Sequence, residues 1–484
     1  MTPPNEHTSE GGRDDRGVPY PVLKCSRRKE FIRRKESLEE CFRLGGGLSG
    51  FDQFQRAGSS ARAGMGYDRA LLGEFTPPAG SVTALSSSAT LFKAVVGTGI
   101  FALPPAIREV GWLAGSVMVL LIAGLSAYTM SLVVSCVQEL RRRGHKGVGA
   151  GGAIEFTDLT AFVFPGLNRP ILFVCLIANY GAILGFFDFA VANLLTLTPF
   201  LSRWQLILAI VAFELPLSLL RSTSHPVFKL AMTFGNLAVA AACASVVYSG
   251  AMSTEPRPLS TLPAYDSSGL GLAFGVCIFM FAAHMECVSI EQDMRTRRNF
   301  HTMLLWTFVV IVVLHLAFGI FIYSCFGEAV GREWKDGHWV DATILQNVGE
   351  NSAVKLAMSA NLLLMTPMTL LPVSKAIEDA FGVHQSYRPV AYSRCTRLGL
   401  IASLGLLAAV LSSFEGVCAL VGCLTGLSCF TVPAACYLHI FSHRLGSLRR
   451  VWFVGLVLFG LVGTAFSAVQ VVVGMVAAQS QPAQ

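Results

Sequence analysis

Charged side chains are scarce in this sequence. Lys, Arg, Asp and Glu make up 14% of 484 residues, where a soluble globular domain carries about a quarter. That shortfall argues against a soluble protein, and other absences narrow the class further. The opening MTPPNEHTSE has no basic stretch leading into an apolar core. A cleaved leader is therefore not expected, and insertion would rely on the first membrane helix. There is no G-x-x-x-x-G-K loop for a nucleotide-driven pump. No nucleophile with a clustered base or ligand set lies at membrane depth, so the chain is not expected to be an enzyme or to hold a metal or organic cofactor. No soluble region is both basic and foldable, which leaves no nucleic-acid domain.

The thirteen cysteines do not form a disulfide framework. Most lie inside apolar segments, including Cys136, Cys175, Cys243, Cys277, Cys287 and Cys325, where they act as small apolar residues. Cys418, Cys429 and Cys436 share a helix face that Cys423 does not. At about 1.5 Å per residue they stand roughly 10 Å or more apart, too far for one metal ion. Gly422 and Gly426 form a small-xxx-small pair on that helix and suggest close packing.

Long apolar runs dominate what is present. Hydrophobic residues make up 53% of the chain, and runs of about 20 residues, each enough to span a bilayer, recur along most of it. Eleven are read, at 82–110, 112–138, 170–198, 204–221, 227–249, 269–290, 302–325, 353–378, 397–414, 416–441 and 451–477. The expected fold is an all-α polytopic membrane protein over residues 81–478, with a short tail at 479–484. Residues 1–80 are rich in Gly, Ser and charge and read as a disordered tail. Within them, Lys24–Arg43 could form a basic amphipathic helix on anionic lipid, although a solvated charge run that helps topology is the preferred reading. Basic loops follow the second, sixth, eighth and tenth spans, for example Arg141–Arg143 with Lys146, and Arg295 with Arg297 and Arg298. The positive-inside rule then puts the N-terminus in the cytoplasm. The net charge of +7 is mostly this topology signal.

The first span is interrupted. In ATLFKAVVGTGIFALPPAIREV (Ala89–Val110), Gly97-Thr98-Gly99 has little helix propensity and Pro104-Pro105 cannot continue a helical ladder. Unpaired amides in lipid cost several kcal/mol each, so such a break survives only where protein, water or a ligand satisfies it. Secondary transporters bind substrates at breaks of this kind; a kink that only shapes packing is the alternative. A second candidate break lies in the sixth span, FMFAAHMECVSIEQDM (Phe279–Met294), where His284 and Glu286 interrupt the apolar run. A charge at the bilayer centre costs about 2.5–3.5 kcal/mol on insertion scales and normally faces a cavity or a partner. Glu286 could instead reach interfacial water, being less than about two turns from Glu291. Interruptions five spans apart are what two inverted five-helix halves would show.

These residues resemble the amino acid/auxin permease family of the amino acid–polyamine–organocation superfamily. Lys93–Pro104 (KAVVGTGIFALP) is similar to the family's first helix. Phe281, His284, Glu286 and Ile290 match the F..H.EVLPIY.EL pattern of the sodium-coupled neutral amino acid branch, with Ser289 in place of its proline. YSCFG at Tyr323–Gly327, the later Ile344-Leu345-Gln346-Asn347, Pro367 with Pro372, and Leu420–Leu438 follow in family order. The resemblance implies two inverted five-helix repeats broken in helices one and six, one extra C-terminal helix, and amino acid transport by alternating access. It places the substrate carboxylate on amides from Val96, Gly97, Thr98, Gly99 and Ile100, and the amino group on carbonyls near Phe281, Ala282 and Ala283. A half-helix N-terminus offers free N–H donors and partial positive charge, which suits a carboxylate. Phe281 is expected to wall or gate the site in a bent sixth span.

Coupling is where the sequence departs from that branch. Lys93 stands where the branch has a neutral amide ligand in helix one, and Met365, next to Thr366, stands at the helix-eight hydroxyl. An ammonium would repel sodium. Lys93 is then a fixed cation or a proton carrier, unless it is a structural anchor reaching the interface from the start of the helix. Asp188, His284, Glu286 and Thr366 join Lys93 as coupling or gating candidates; of the other intramembrane polar residues, Asp188 in the third span is the best for a proton path, ahead of Glu214, and His315 reads as a packed histidine. The expected function is secondary active amino acid transport, sodium-independent, with H+ as the candidate coupling ion. The expected partners are an amino acid substrate and membrane lipid. A facilitative uniporter and an amino acid-sensing receptor of transporter shape are the alternatives. Plasma membrane and vacuolar or lysosomal membrane are equally compatible.

Overall fold

The computed structural model describes residues 80–147, 154–219, 226–253, 256–335, 338–347, 351–381, 383, 388–411 and 413–480. The expected tail up to residue 79, with Lys24–Arg43, and the last four residues of the expected C-terminal tail lie outside them. Chain contacts separate Met1–Tyr67 from Asp68–Gln484, and every described residue belongs to the second unit.

The first span is two helices. α1 (Ala84–Val95) and α2 (Leu103–Val110) flank a 3-10 turn, Thr98–Ala102, and the two halves meet at 44°. Thr83 caps α1 by accepting the Ser86 amide at 3.3 Å. Pro104 and Pro105 sit in the first turn of α2, where a missing N–H removes no helical bond. α2 stops at Gly111, with φ of +89° and a backbone pressed on Ala264 and Tyr265, so a side chain has neither the conformation nor the room. The loop that presses there is braced by Asp266. The Ser268 amide and hydroxyl donate to it at 2.8 and 2.7 Å and hold its carboxyl below the usual range.

The chain continues through α3 (Trp112–Arg142), α4 (Phe156–Val163), α5 (Asn168–Leu197), α6 (Arg203–Ser218) and α7 (Pro226–Ser253). The sixth span is α8 (Leu270–Met280) and α9 (His284–Asp293), followed by α10 (Phe300–Phe326). A hairpin of β1 (Arg332–Lys335) and β2 (His338–Asp341) sets Trp334 opposite Trp339. Then come α11 (Ser352–Ala380), α12 (Pro389–Val410), α13 (Phe414–Gly426), a π-helical turn (Leu427–Thr431), α14 (Val432–Phe441) and α15 (Ser447–Ser480).

Among the described residues, eight segments are long and apolar enough to cross a bilayer, or nine when α1 and α2 count as one broken span. The chain is a multi-pass, nearly all-helical membrane protein. The expected eleven also counts two shorter helices, the 16-residue α6 and the apolar run Leu237–Met252 of α7. The ninth span begins at Pro389, eight residues before the expected 397, because proline opens the helix and Ser393 and Arg397 are buried against Glu378.

Three apolar cores are found among the described residues. The largest gathers residues from α1, α2, α3, α8, α9 and α10, and takes in Phe189 of α5 and Met358 and Leu362 of α11. A second gathers α5, α6, α11 and α12, with Val417 and Val421 of α13, and a small third joins Leu132 of α3 to α14 and α15. α13 also lies tight on α8: the Gly422 backbone touches the Gly275 carbonyl, so even a methyl group would not fit. Gly426 of the same pair lies against Thr464 and Ile278. Three basic loops meet on one face, where Arg141 pairs with Glu291 at 3.1 Å, Arg143 donates to the Ile440 carbonyl and Arg444 approaches Glu139.

Candidate functional site

The two interruptions face one another. At the first, the Val96 amide still reaches Phe92 at 2.7 Å and the Gly97 amide reaches Val95 at 3.1 Å. The Thr98 and Gly99 amides have no main-chain acceptor among the described residues, as at the start of any helix. A Cβ on Gly99 would come within 3.2 Å of Met280 and 3.3 Å of Phe279, so the first break packs directly on the end of α8. A Cβ on Gly97 would meet nothing within 4 Å. Aromatic rings close the neighbourhood: Phe101 lies 5.9 Å from Phe189 and 6.1 Å from Phe318, and Phe189 lies 4.8 Å from Phe414.

The sixth span is interrupted at Phe281–Ala283, but its halves form a single 24-residue span with no bend above 40°. The Phe281 amide still reaches Cys277 at 3.3 Å and the Ala283 amide reaches Phe281 at 3.2 Å, which carries the chain across the gap. The Ala282 carbonyl accepts no main-chain bond among the described residues.

The Phe281 ring is fully buried, 5.4 Å from His315 and 6.2 Å from Phe308, and faces α10. Phe279, two residues earlier, touches Gly99, lines the cavity described next and packs on both larger apolar cores. Sequence reading passed over it because one phenylalanine in FMFAAHMEC looks like another; only helix phase separates them.

A cavity of about 100 Å³ lies between α5, the sixth-span break and the α13 π-turn. Its polar lining is Asn179, His284, Glu286, Thr425 and Ser428, and Cys175 and Cys429 meet across it. Glu286 lines this cavity and its side chain is exposed, as a residue in reach of water would be. Glu291, the supposed route outward, is itself buried and held by Arg141 and Gln138. His284 is buried, with Nε2 2.8 Å from the Thr129 hydroxyl and Nδ1 without a partner.

The other candidates are dispersed. Lys93 is half-buried in the last turn of α1, three residues before the break, and among the described residues it has no ion-pair partner. It is not near the start of the helix as the sequence suggested. α1 begins only at Ala84, which puts Lys93 about 13 Å along the axis. The Thr366 hydroxyl is buried and donates to the Leu362 carbonyl at 3.1 Å. Asp188 is buried and takes Arg203 at 2.5 Å, while the same Arg203 nitrogen reaches the Ala408 carbonyl at 2.9 Å. Glu214 is buried with neither oxygen bonded. His315 bonds the Ile311 carbonyl through Nδ1 at 2.8 Å, consistent with a packed ring.

The amino acid transporter ANT1 of Arabidopsis thaliana is 26% identical over 420 residues, covering 81% of this chain and 93% of that protein. The vesicular GABA transporter of Caenorhabditis elegans is 23% identical, covering 82% and 81%. Among solved structures, a substrate-bound outward-open Na+-coupled sialic acid symporter matches with a TM-score of 0.48 at 12% identity, over 84% of this chain and 91% of that one. Residues 80–475 match the family described as transmembrane amino acid transporter protein. With that match spanning every described helix up to α15, the chain belongs to the transmembrane amino acid transporter, or amino acid/auxin permease, family.

Proposed function

We propose that this chain is a secondary active transporter that moves amino acids by alternating access without sodium. The observation that carries the reading is the first break: two adjacent amides, Thr98 and Gly99, without main-chain acceptors, beside open space at Gly97. Such a half-helix terminus suits an α-carboxylate. Val96 and Ile100 complete the same turn, and the Ala282 carbonyl suits the α-ammonium, with Phe281 and Ala283 holding its conformation. The two larger cores support alternating access by relative movement, since α1 to α3 and α8 to α10 share one, α6 and α12 share the other, and α5 and α11 reach into both. Two inverted five-helix repeats with one added helix would pair the spans in this way, and the N-terminus would then be cytoplasmic.

Lys93 supports sodium independence. Like charges about 4 Å apart repel by about 4 kcal/mol at an effective dielectric near 20, so an ammonium one turn from the break substitutes for a monovalent cation. Protons or the substrate gradient then drive the cycle. The test is uptake of labelled amino acids by the purified full chain in proteoliposomes. Flux that continues when choline replaces sodium, at fixed pH and membrane potential, is expected. Flux that vanishes would overturn sodium independence, and no flux of any amino acid would favour a receptor.

A further inference from the structure

We infer that the cavity between α5, the sixth-span break and the α13 π-turn is a proton site, in which the Glu286 carboxylate takes the proton and His284 is its neighbouring acceptor. The inference rests on the transport reading and deepens it by moving proton coupling from Lys93 to Glu286.

Three observations carry it. First, Glu286 is exposed on a cavity that is partly open to the surface and whose lining contains no lysine or arginine. A carboxylate at membrane depth needs a positive partner or water, because an unpaired charge there costs about 2.5–3.5 kcal/mol on insertion scales. Second, the cavity suits water. Its volume of about 100 Å³ is ample for water, and Asn179, Thr425 and Ser428 supply hydrogen-bond partners for it. Third, His284 lines the same cavity and its Nδ1 is buried without a hydrogen bond. If the Thr129 hydroxyl donates to the Leu125 carbonyl, as their 2.8 Å contact allows, His284 Nε2–H donates to Thr129. Nδ1 then carries a lone pair.

The surroundings leave the proton few competitors. Within the cavity the other titratable groups are the Cys175 and Cys429 thiols. On the elements packed against α9, Arg141 is paired with Glu291, Glu139 is held by Arg142 and Arg143, and Asp158 bonds the Glu155 amide. Lys93, on α1, does not line the cavity. Protonation makes the carboxyl neutral and removes the need for counter-charge. Release restores a charge that pulls water into the seam between the two larger cores, where Phe279 separates this cavity from the first break. Loading and unloading thereby acts on the same seam that alternating access must open.

The experiment compares uptake of a labelled amino acid by the full chain in proteoliposomes with and without an imposed pH gradient, and reads the ratio. Wild type is expected to show a several-fold ratio, Glu286→Gln a ratio near unity, and Glu286→Asp a partial one. In parallel, dicyclohexylcarbodiimide, which modifies protonated carboxyl groups in apolar surroundings, is mapped by peptide mass. Its adduct on Glu286 should increase from alkaline to acidic buffer and disappear in Glu286→Gln. A wild-type ratio retained by Glu286→Gln overturns the site, as does a ratio lost in Lys93→Ala but kept in Glu286→Gln. Wild-type flux that ignores the pH gradient also overturns it, while amino acid transport stands. If wild type moves no amino acid, the transport reading fails, and absence of a pH-dependent adduct on Glu286 then removes the proton site as well.

Discussion

The two interrupted spans solve the same problem with different materials. The first bends by 44° at three small residues and exposes main-chain donors. The sixth bends by no more than 40° and places ionisable side chains, His284 and Glu286, immediately after its gap. A main-chain site recognises what all amino acids share and is indifferent to side-chain identity, provided the residues stay small. A side-chain site can change charge within a cycle, which a main chain cannot. The proposed division gives recognition to the first break and coupling to the sixth, and it can be broken in three ways.

The largest effect is expected at the first break. Gly99→Val pushes a branched carbon into Met280 and Phe279, an overpacking worth about 1–3 kcal/mol. Gly97→Val meets no neighbour and should leave the fold intact. Both should abolish uptake with protein still in the membrane, measured as flux per unit of surface protein. Normal flux in both would remove recognition from this span.

Next come the two phenylalanines of the sixth. Phe281→Ala empties a fully buried site beside Phe308 and His315 and should cost about 3–5 kcal/mol, read as a lower Tm in detergent. Phe279→Ala removes a half-buried ring at the cavity and should alter apparent KM and selectivity more than Tm. Equal changes in both quantities for both variants would erase the distinction between core and wall.

The smallest effect is expected from Thr129→Val, which removes the hydrogen bond to His284 Nε2 at a cost of about 1 kcal/mol. It should weaken the pH-gradient dependence of uptake while the valine variant still reaches the membrane. An unchanged dependence would show that His284 acts only through its bulk.

Much of the fold was legible because a bilayer imposes length and apolarity on every span, and glycine and proline punctuate locally. The first break was visible for that reason. Gly422 was also legible as a packing residue, since small-xxx-small spacing is local. What sequence spacing did not carry was rotation. Whether Phe281 or Phe279 lines a cavity depends on the phase at which α8 ends, and that phase is set by its contact with α13. Glu286 was read against Glu291 by counting residues, but the count cannot reveal that Arg141 pairs with Glu291. Asp188 likewise reads alone as a buried acid, and only the fold brings Arg203 to it.

Val82 runs beside Met294 in a short parallel pairing just before α1. Its amide donates to the Asp293 carbonyl at 2.9 Å and its carbonyl accepts from the Arg295 amide at 2.7 Å. The chain entering the first interrupted span is thus tied to the chain leaving the sixth by peptide groups alone. Such a fastening leaves almost no record in a sequence. Residue 82 can drift among nearly all amino acids without loosening it, and only proline, lacking the N–H, registers as a change. A comparison of homologues that looks for invariant residues would pass over this tether, although any movement separating the two spans at this end has to break it.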